Sequence, residues 1–593
     1  MKKRSQINEK YKWDLSYLCE SDEKFYKTLE TLKEYLPKFK AFEGKLNNKK
    51  DILKYLQLEE EFDMIANPIA LYCHLKGDEI LSDEKRNIMQ EKLEHLFNEF
   101  SVETSFASSE LHELDDKLLD EIISDKAFSD YQRTFEQIKK AKKHVLSKAE
   151  EKLLSGMNFL DGFSSNMRML SDVDLKFGKI KDSKDKDHEL TQSNYSIFMA
   201  SKDRTLRKNA ICTLNGTFGK MINIFASNYI SEVKADCYFA KVRKYSSALM
   251  QALEDEEISK EVYDTLIKKV HENLKILFKF FKLKAKIMNL KDFAIYDHMA
   301  DIGKSKSKYS YDEAMEIIKE ALSPLGEEYQ SLLERAKNER WIDVYPNLDK
   351  RSGAYQSSVY RYPPYVLTNF EGDLNSIFTL AHELGHAMHS YYSDKTQVYA
   401  KSGYPIFLAE IASTTNEMLL FNYFLSKTKN KQEKIYLYNK LFTEVKGTIF
   451  RQTMFAEFEA DVHAMQERGE ALTKDSLCRE YYALNKKYFG SVKLIDEIKY
   501  EWARIPHFFT SFYVYKYATG LISAITFTNK ILSDRKSAVK DYFKFLTAGG
   551  SNPPLETLKK AGCDLENEKT FDMCFEYLND MLKNWEALVR EKK

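Results

Sequence analysis

The chain has 593 residues, too many for one small domain, and its 91 basic residues balance 91 acidic ones. Zero net charge offers no overall field for nucleic acid or an anionic membrane, and a composition 43% apolar and 31% charged excludes a disordered chain. Only 20 Gly and 10 Pro occur, with no proline between Pro68 and Pro324 or between Pro405 and Pro506; a β-sandwich or barrel needs more turns, so a mainly α protein is expected.

Residues 1–115 read as successive amphipathic helices, with apolar residues three and four apart in 22–39 and 49–75. Helices continue from 116, then 170–180 alternates before the charged turn at 181–190, the pattern of a short hairpin or edge strand. Long helices return over 196–345. Their periodicity lacks heptad discipline, which suits a bundled or solenoid-like scaffold and not a coiled coil.

The pattern breaks at 346–372, a run rich in Tyr, Ser, Pro and Gly. It reads as short strands near 354–359 and 365–369 about the Pro363-Pro364 turn. Helical periodicity resumes at Asp373, a suitable N-cap for a helix over 374–392. Residues 393–405 look irregular, and a helix follows over 406–427. From 428 to 593 the chain reads as helical, with a break at 549–554. The stretch 508–527 is nearly long enough to span a membrane, but Lys516 lies in its middle, so it reads as a buried helix lining a site. The seven cysteines are scattered without a CxxC pair, and the basic N-terminus lacks the apolar run of a secretory signal. A reducing, cytoplasmic setting is expected.

The chemistry lies in the 374–392 helix, which carries His382-Glu383-Leu384-Gly385-His386. Histidines at i and i+4 leave one helix face together and can meet one metal ion. Zn²⁺ accepts neutral imidazole and keeps a position open in catalytic sites. Glu383, beside the first histidine, can take the proton of the water that zinc would activate. A third protein ligand is needed. Glu410 lies among Leu408, Ala409, Ile411 and Ala412, where a carboxylate is costly unless paired or metal-bound. Glu410, Thr414 and Glu417 share a helix face, so Glu410 is assigned to the metal and Glu417 to the support of a ligand imidazole. The alternative for Glu417 is a solvated face. His389, one turn past His386, is assigned to a supporting or cleft position, because a fourth ligand would close the site. Gly385 costs about 1 kcal/mol against Ala in a helix, which suggests close packing, with the Glu410 helix as partner.

The runs FTLAHELGHAMHSYYS and FLAEIASTTNE resemble the oligoendopeptidase F family of zinc peptidases, relatives of thimet oligopeptidase, whose signature is HExGHxxH followed by ExxSxxxE. Here these are His382, Glu383, Gly385, His386 and His389, then Glu410, Ser413 and Glu417. EKYKWDLSYL, SKDRTLRKNAICTLNGTF, VRKYSSAL and WARIPHFFTSFYVYKYATG are similar to other family segments. The resemblance implies a large multi-helix ellipsoid with a deep internal channel and a small β-sheet next to the active-site helix. It implies an N-terminal helical region over 1–115, a family-type subdomain over 116–195 and a catalytic domain over 196–593. It further implies one Zn²⁺, with Mn²⁺ or Co²⁺ as substitutes, and cleavage inside short unstructured peptides, without nucleic acid or membrane partners. His507 matches the histidine that stabilises the oxyanion. Tyr513 and Tyr517, at i and i+4, could add hydroxyls from one helix face, although a tyrosine-rich run also suits core or cleft lining. Gly353, Ala354 and Tyr355 resemble the strand edge that holds substrate backbone, with an ordinary short sheet as the alternative.

Two other functions fit parts of the sequence. A zinc exopeptidase of the dipeptidyl carboxypeptidase kind needs a fixed charge at a peptide terminus, and Arg361, Arg504 and Lys516 lie near the site in sequence. A non-catalytic helical scaffold needs only that the motif be incidental.

Overall fold

The computed structural model describes residues 1–157, 162–305 and 308–590. The chain forms two compact units, each assembled from three separate segments. The expected mainly α architecture is present, and among the described residues the sheets are limited to one of two strands and one of three.

The first unit comprises Met1–Lys143, Lys306–Tyr423 and Phe527–Cys563. Its opening residues form three short 3₁₀ turns, Arg4–Gln6, Glu9–Tyr11 and Leu15–Tyr17, where the sequence suggested amphipathic helix. The helices begin at Asp22–Lys33, whose N-terminus is capped by Ser21 and whose Phe25, Leu29 and Leu32 are buried at helical spacing. Helices Lys49–Glu79 and Glu84–Glu113 pack beside it. Phe39 of the short helix Leu36–Lys40 joins Phe62 and Phe100 of these two helices, with ring centroids 4.4–5.9 Å apart.

That core also buries Tyr365 and Leu367, and so fixes the three-stranded sheet. Strand β5 (Tyr365–Leu367) is central. It pairs in parallel with β3 (Ile342–Asp343) and antiparallel with β4 (Tyr355–Ser357), leaving β4 as an outer strand. The two expected strands are present, and the parallel partner β3 was not anticipated. Two residues of ordinary helical-tail sequence gave no periodicity to detect. β3 is anchored by charge: buried Asp343 receives Lys350 Nζ at 2.6 Å and Arg4 Nη2 at 2.5 Å. Burial opposes its ionisation, but the two cations hold its carboxyl below the usual range.

The second unit comprises His144–Ser305, Phe424–Thr526 and Asp564–Lys593. It contains the hairpin of β1 (Lys179–Lys181) and β2 (Asp187–Glu189) in antiparallel register. The alternation at 170–180 mostly does not form strand, because Met169–Asp174 is a π-helical turn. The core is helical: Tyr229 lies against Phe458, Trp502 and Phe508 within 6.1 Å. All seven cysteines are free. No helix among the described residues is long and apolar enough to cross a membrane. The helical tail is observed to Arg590, and its last three residues lie outside the described part.

Candidate metal centre

The motif helix spans Leu374–Thr396, and the Asp373 side chain accepts the Ser376 N–H at 2.8 Å as its cap. It runs four residues past the expected end, and Tyr399–Ser402 adds a further turn in the supposedly irregular segment. Ile377, Phe378, Leu380, Ala381 and Leu384 are buried. The glutamate helix spans Ile406–Lys427, as its periodicity predicts. The two helices meet closely at Gly385. A Cβ there would lie 2.4 Å from Ser413 Cα and 2.8 Å from the Ala412 carbonyl oxygen. Asn416 ties the same contact by donating to the Ala381 carbonyl at 3.1 Å, and itself receives the Tyr329 hydroxyl at 3.0 Å.

This crossing brings three donor atoms together. His382 Nε2 and His386 Nε2 are 3.1 Å apart, and Glu410 Oε2 lies 3.4 Å from the first and 3.7 Å from the second. A point about 2.0 Å from all three closes that triangle, which is the bond length zinc takes to imidazole and carboxylate. Among the described residues this is the group of three His, Cys, Asp or Glu side chains placed to hold a metal ion. On the far side of the first imidazole, His382 Nδ1 lies 2.6 Å from Glu417 Oε1. A carboxylate there accepts the hydrogen bond of an Nδ1–H and leaves the Nε2 lone pair for the cluster.

Electrostatics fit the same reading. Burial disfavours a charged His382, but Glu410 and Glu417 override it and push the group up to about 10. The cluster therefore favours positive charge. His386 is held down to about 4 by burial and by its neighbour His382, so it offers a neutral lone pair. Glu410 is lowered, chiefly by its hydrogen bond with His382. Glu383 is 7% exposed, and burial raises its carboxyl to about 7, with Glu410 and Glu417 adding to the rise against His382. A carboxylate poised there suits proton transfer near neutral pH.

His389 is placed differently from its expected supporting role. It is fully buried, with its ring stacked 3.8 Å from Tyr404 and 4.6 Å from Phe545. Neither ring nitrogen has a hydrogen-bond partner among the described residues. Burial lowers its pKa to about 3, so this residue of the motif helix packs as a neutral ring against Tyr404 and Phe545.

His507, Tyr513 and Tyr517 belong to the second unit. Tyr517 Oη is 3.4 Å from His507 Nε2, and the Tyr513 and Tyr517 rings meet edge-on at 5.3 Å. Burial lowers the pKa of His507. The two tyrosines do not share a helix as expected: the helix begins at Tyr515 (Tyr515–Ser533), and Tyr513 precedes it. The reason is Phe512, in left-handed backbone at φ 59°. Its N–H donates to the fully buried Glu459 carboxyl group at 3.1 Å. Sequence reading missed Glu459, although its apolar flanks, Phe455, Ala456 and Phe458, carry the signal that singled out Glu410.

Gly353 takes φ +85°, open only to glycine without strain, and its carbonyl accepts from Asn369 at 2.8 Å. Ala354 precedes outer strand β4. The Tyr355 hydroxyl donates to Asp78 at 2.5 Å, which fixes the strand to the Lys49–Glu79 helix. Of the cations suggested for gripping a peptide terminus, Lys516 pairs with Glu256, Arg504 lies over Tyr195 and Arg361 over Tyr360.

A helical chain whose two neighbouring helices present two imidazoles and a glutamate, with a buried glutamate following the first histidine, has the architecture of a helix-borne HExxH metallopeptidase. Comparison with known proteins narrows this. Residues 197–577 match Peptidase family M3, and residues 110–177 match Oligopeptidase F. The chain belongs to peptidase family M3 and is a metalloendopeptidase. It is 37% identical to Oligopeptidase PepF of Bacillus subtilis over 100% of this chain and 89% of that one. A crystallised chain from Chlamydophila abortus superposes with a TM-score of 0.95 at 35% identity, covering 99% of this chain and 100% of that one. The crystal structure of oligoendopeptidase-F from Enterococcus faecium gives a TM-score of 0.73 at 30% identity, covering 96% and 100%.

Proposed function

We propose that this metallo-oligopeptidase is zinc-dependent and cleaves internal bonds of short unstructured peptides in the cytoplasm. The observation that carries the reading is the triangle of His382 Nε2, His386 Nε2 and Glu410 Oε2, with edges of 3.1–3.7 Å. These three residues would hold Zn²⁺, with Mn²⁺ or Co²⁺ as substitutes. When bound, the ion supplies a Lewis acid for the scissile carbonyl and lowers the pKa of water.

The remaining steps fall to the chain. Glu417 keeps His382 in the tautomer that points its Nε2 lone pair at the cluster. Glu383 removes a proton as water attacks the carbonyl carbon, and returns one to the amine nitrogen as the C–N bond breaks. His507, with Tyr513 or Tyr517, donates to the carbonyl oxygen as it gains charge. Gly353, Ala354 and Tyr355 hold substrate backbone along the free edge of β4, which reads no side chain and so tolerates many sequences. In family terms the chain divides near residues 115 and 195, before its catalytic part.

The test is Glu383→Gln, which keeps shape and removes the base. The zinc-loaded variant should hydrolyse an internally quenched, doubly blocked peptide at least 10²-fold more slowly while retaining one equivalent of zinc. Wild-type turnover by this variant would sink the mechanism. Failure of the wild type on doubly blocked peptides, with cleavage of free-ended ones, would favour an exopeptidase.

A further inference from the structure

A cavity of about 670 Å³ lies within the first unit, beyond the metal cluster. Its walls include the Lys49–Glu79 helix through Asn67 and His74, outer strand β4 through Gln356 and Ser357, the motif helix through Ser390 and Asp394, and the Tyr399–Ser402 turn with Tyr404 after it. Ser390 and Asp394 follow His386 by one and two turns. At 1.5 Å of rise per residue, Asp394 stands about 12 Å along the helix from His386. An extended peptide advances about 3.3 Å per residue, so about three or four residues of substrate span that distance.

The lining combines one carboxyl group with few groups that could neutralise it. Asp394 lies against the Ser402 hydroxyl, and no lysine, arginine or histidine pairs with it among the described residues. No lysine or arginine is among the described residues lining the space. Its one histidine, His74, is already 3.4 Å from Asp78. The Gln356 amide nitrogen, on the strand proposed to hold substrate, is buried without a hydrogen-bond partner among the described residues, a donor left over for a carbonyl oxygen. A half-buried carboxylate without a counter-charge is costly to ionise, and burial accordingly raises that of Asp394 to about 7. An ammonium or guanidinium group entering the cavity would remove the cost.

We propose that this cavity is a substrate subsite for a positively charged group, with Asp394 as its counter-charge and Gln356 as a backbone contact. The inference rests on the peptidase reading and names the substrates it favours: peptides with Lys or Arg, or a free terminal amine, three or four residues from the cleaved bond.

The test is a peptide series in which one Lys is moved residue by residue through a neutral sequence. Each member is paired with a norleucine control and made with free and acetylated N-termini. The zinc-loaded wild type and Asp394→Asn are assayed for kcat/KM. Binding of the same peptides to the chelator-treated proteins, read by fluorescence anisotropy, needs no turnover. The expected result is a preference of about tenfold or more for Lys at one position, carried by KM and binding, which falls to near unity in Asp394→Asn; charge-assisted pairs of this kind reach that size. Persistence after acetylation assigns the side chain as the cation, and loss on acetylation assigns the terminal amine. A wild type without cation preference in binding or turnover overturns the proposal, as does a preference that Asp394→Asn retains. Cation-selective binding without cleavage of any peptide would leave the subsite standing and refute the peptidase reading.

Discussion

Gly385→Ala is the sharpest test of how the two ligand helices meet. In an isolated helix the change is favourable by about 1 kcal/mol. Here the new Cβ would fall 2.4 Å from Ser413 Cα and 2.8 Å from the Ala412 carbonyl oxygen. Carbon atoms in contact sit about 3.5–4.0 Å apart, so the helices must separate by about 1.1–1.6 Å. Both obstructing atoms are backbone, and no rotamer change relieves them. Overpacking costs about 1–3 kcal/mol, and a rigid backbone contact belongs at the upper end, for a net loss of about 2 kcal/mol once the propensity gain is subtracted. The separation also moves Glu410, one turn from Ser413, away from the histidines. Metal–ligand distances tolerate about 0.2 Å, so the site should lose far more than the fold. We expect at least a tenfold weaker zinc affinity, measured by competition with a chromophoric chelator, together with a lower melting temperature. Gly216→Ala is the control: among the described residues a Cβ there meets only Glu497 Cγ at 4.0 Å, so that variant should melt at the same temperature or higher. If Gly385→Ala binds zinc within threefold of wild type and melts no lower, the close approach of the helices is refuted.

Glu417→Gln should weaken zinc binding by about 10–100-fold while the fold persists, because the His382 Nδ1 proton loses its charged acceptor; unchanged affinity in the chelator assay would assign Glu417 to solvated surface. Glu459→Gln concerns pH. Burial raises the Glu459 carboxyl well above its ordinary value, against the Phe512 N–H. The folded state therefore keeps a proton that the unfolded chain releases above about pH 4.3, so stability falls as pH rises from there through the folded pKa. Glutamine retains an acceptor for Phe512 and carries no such cost. The variant should melt above wild type at pH 8.5, with a smaller gap at pH 5; a gap that is equal or larger at pH 5 would show that Glu459 is ionised in the fold.

Local sequence determined much of this protein. Asp373 caps the motif helix, the 406–427 periodicity marks the glutamate helix, and the i, i+4 histidines share a face whatever surrounds them. These follow from backbone geometry within a few turns. Glu410 was legible for a different reason, since a carboxylate among apolar neighbours calls for a partner. The same signal at Glu459 went unread, because its partner is a backbone N–H in a left-handed turn that no residue type announces. Phe512 at φ 59° is such a turn, and it moved Tyr513 off the helix that simple spacing gave it.

The tertiary structure alone decided which groups meet across long stretches of chain. The sequence suggested that Gly385 faces the glutamate helix, but only the crossing brings it onto Ser413 Cα. His389 looked like part of the site by its seven-residue spacing from His382, yet Tyr404 and Phe545 enclose it. β3 became a strand only because β5 offered an edge, and Asp394 faces a cavity because a distant helix and an outer strand wall it. Helical spacing fixes directions along one element. The contacts that make a metal cluster or a subsite depend on where a second element crosses, and that is set by the packing of the whole core.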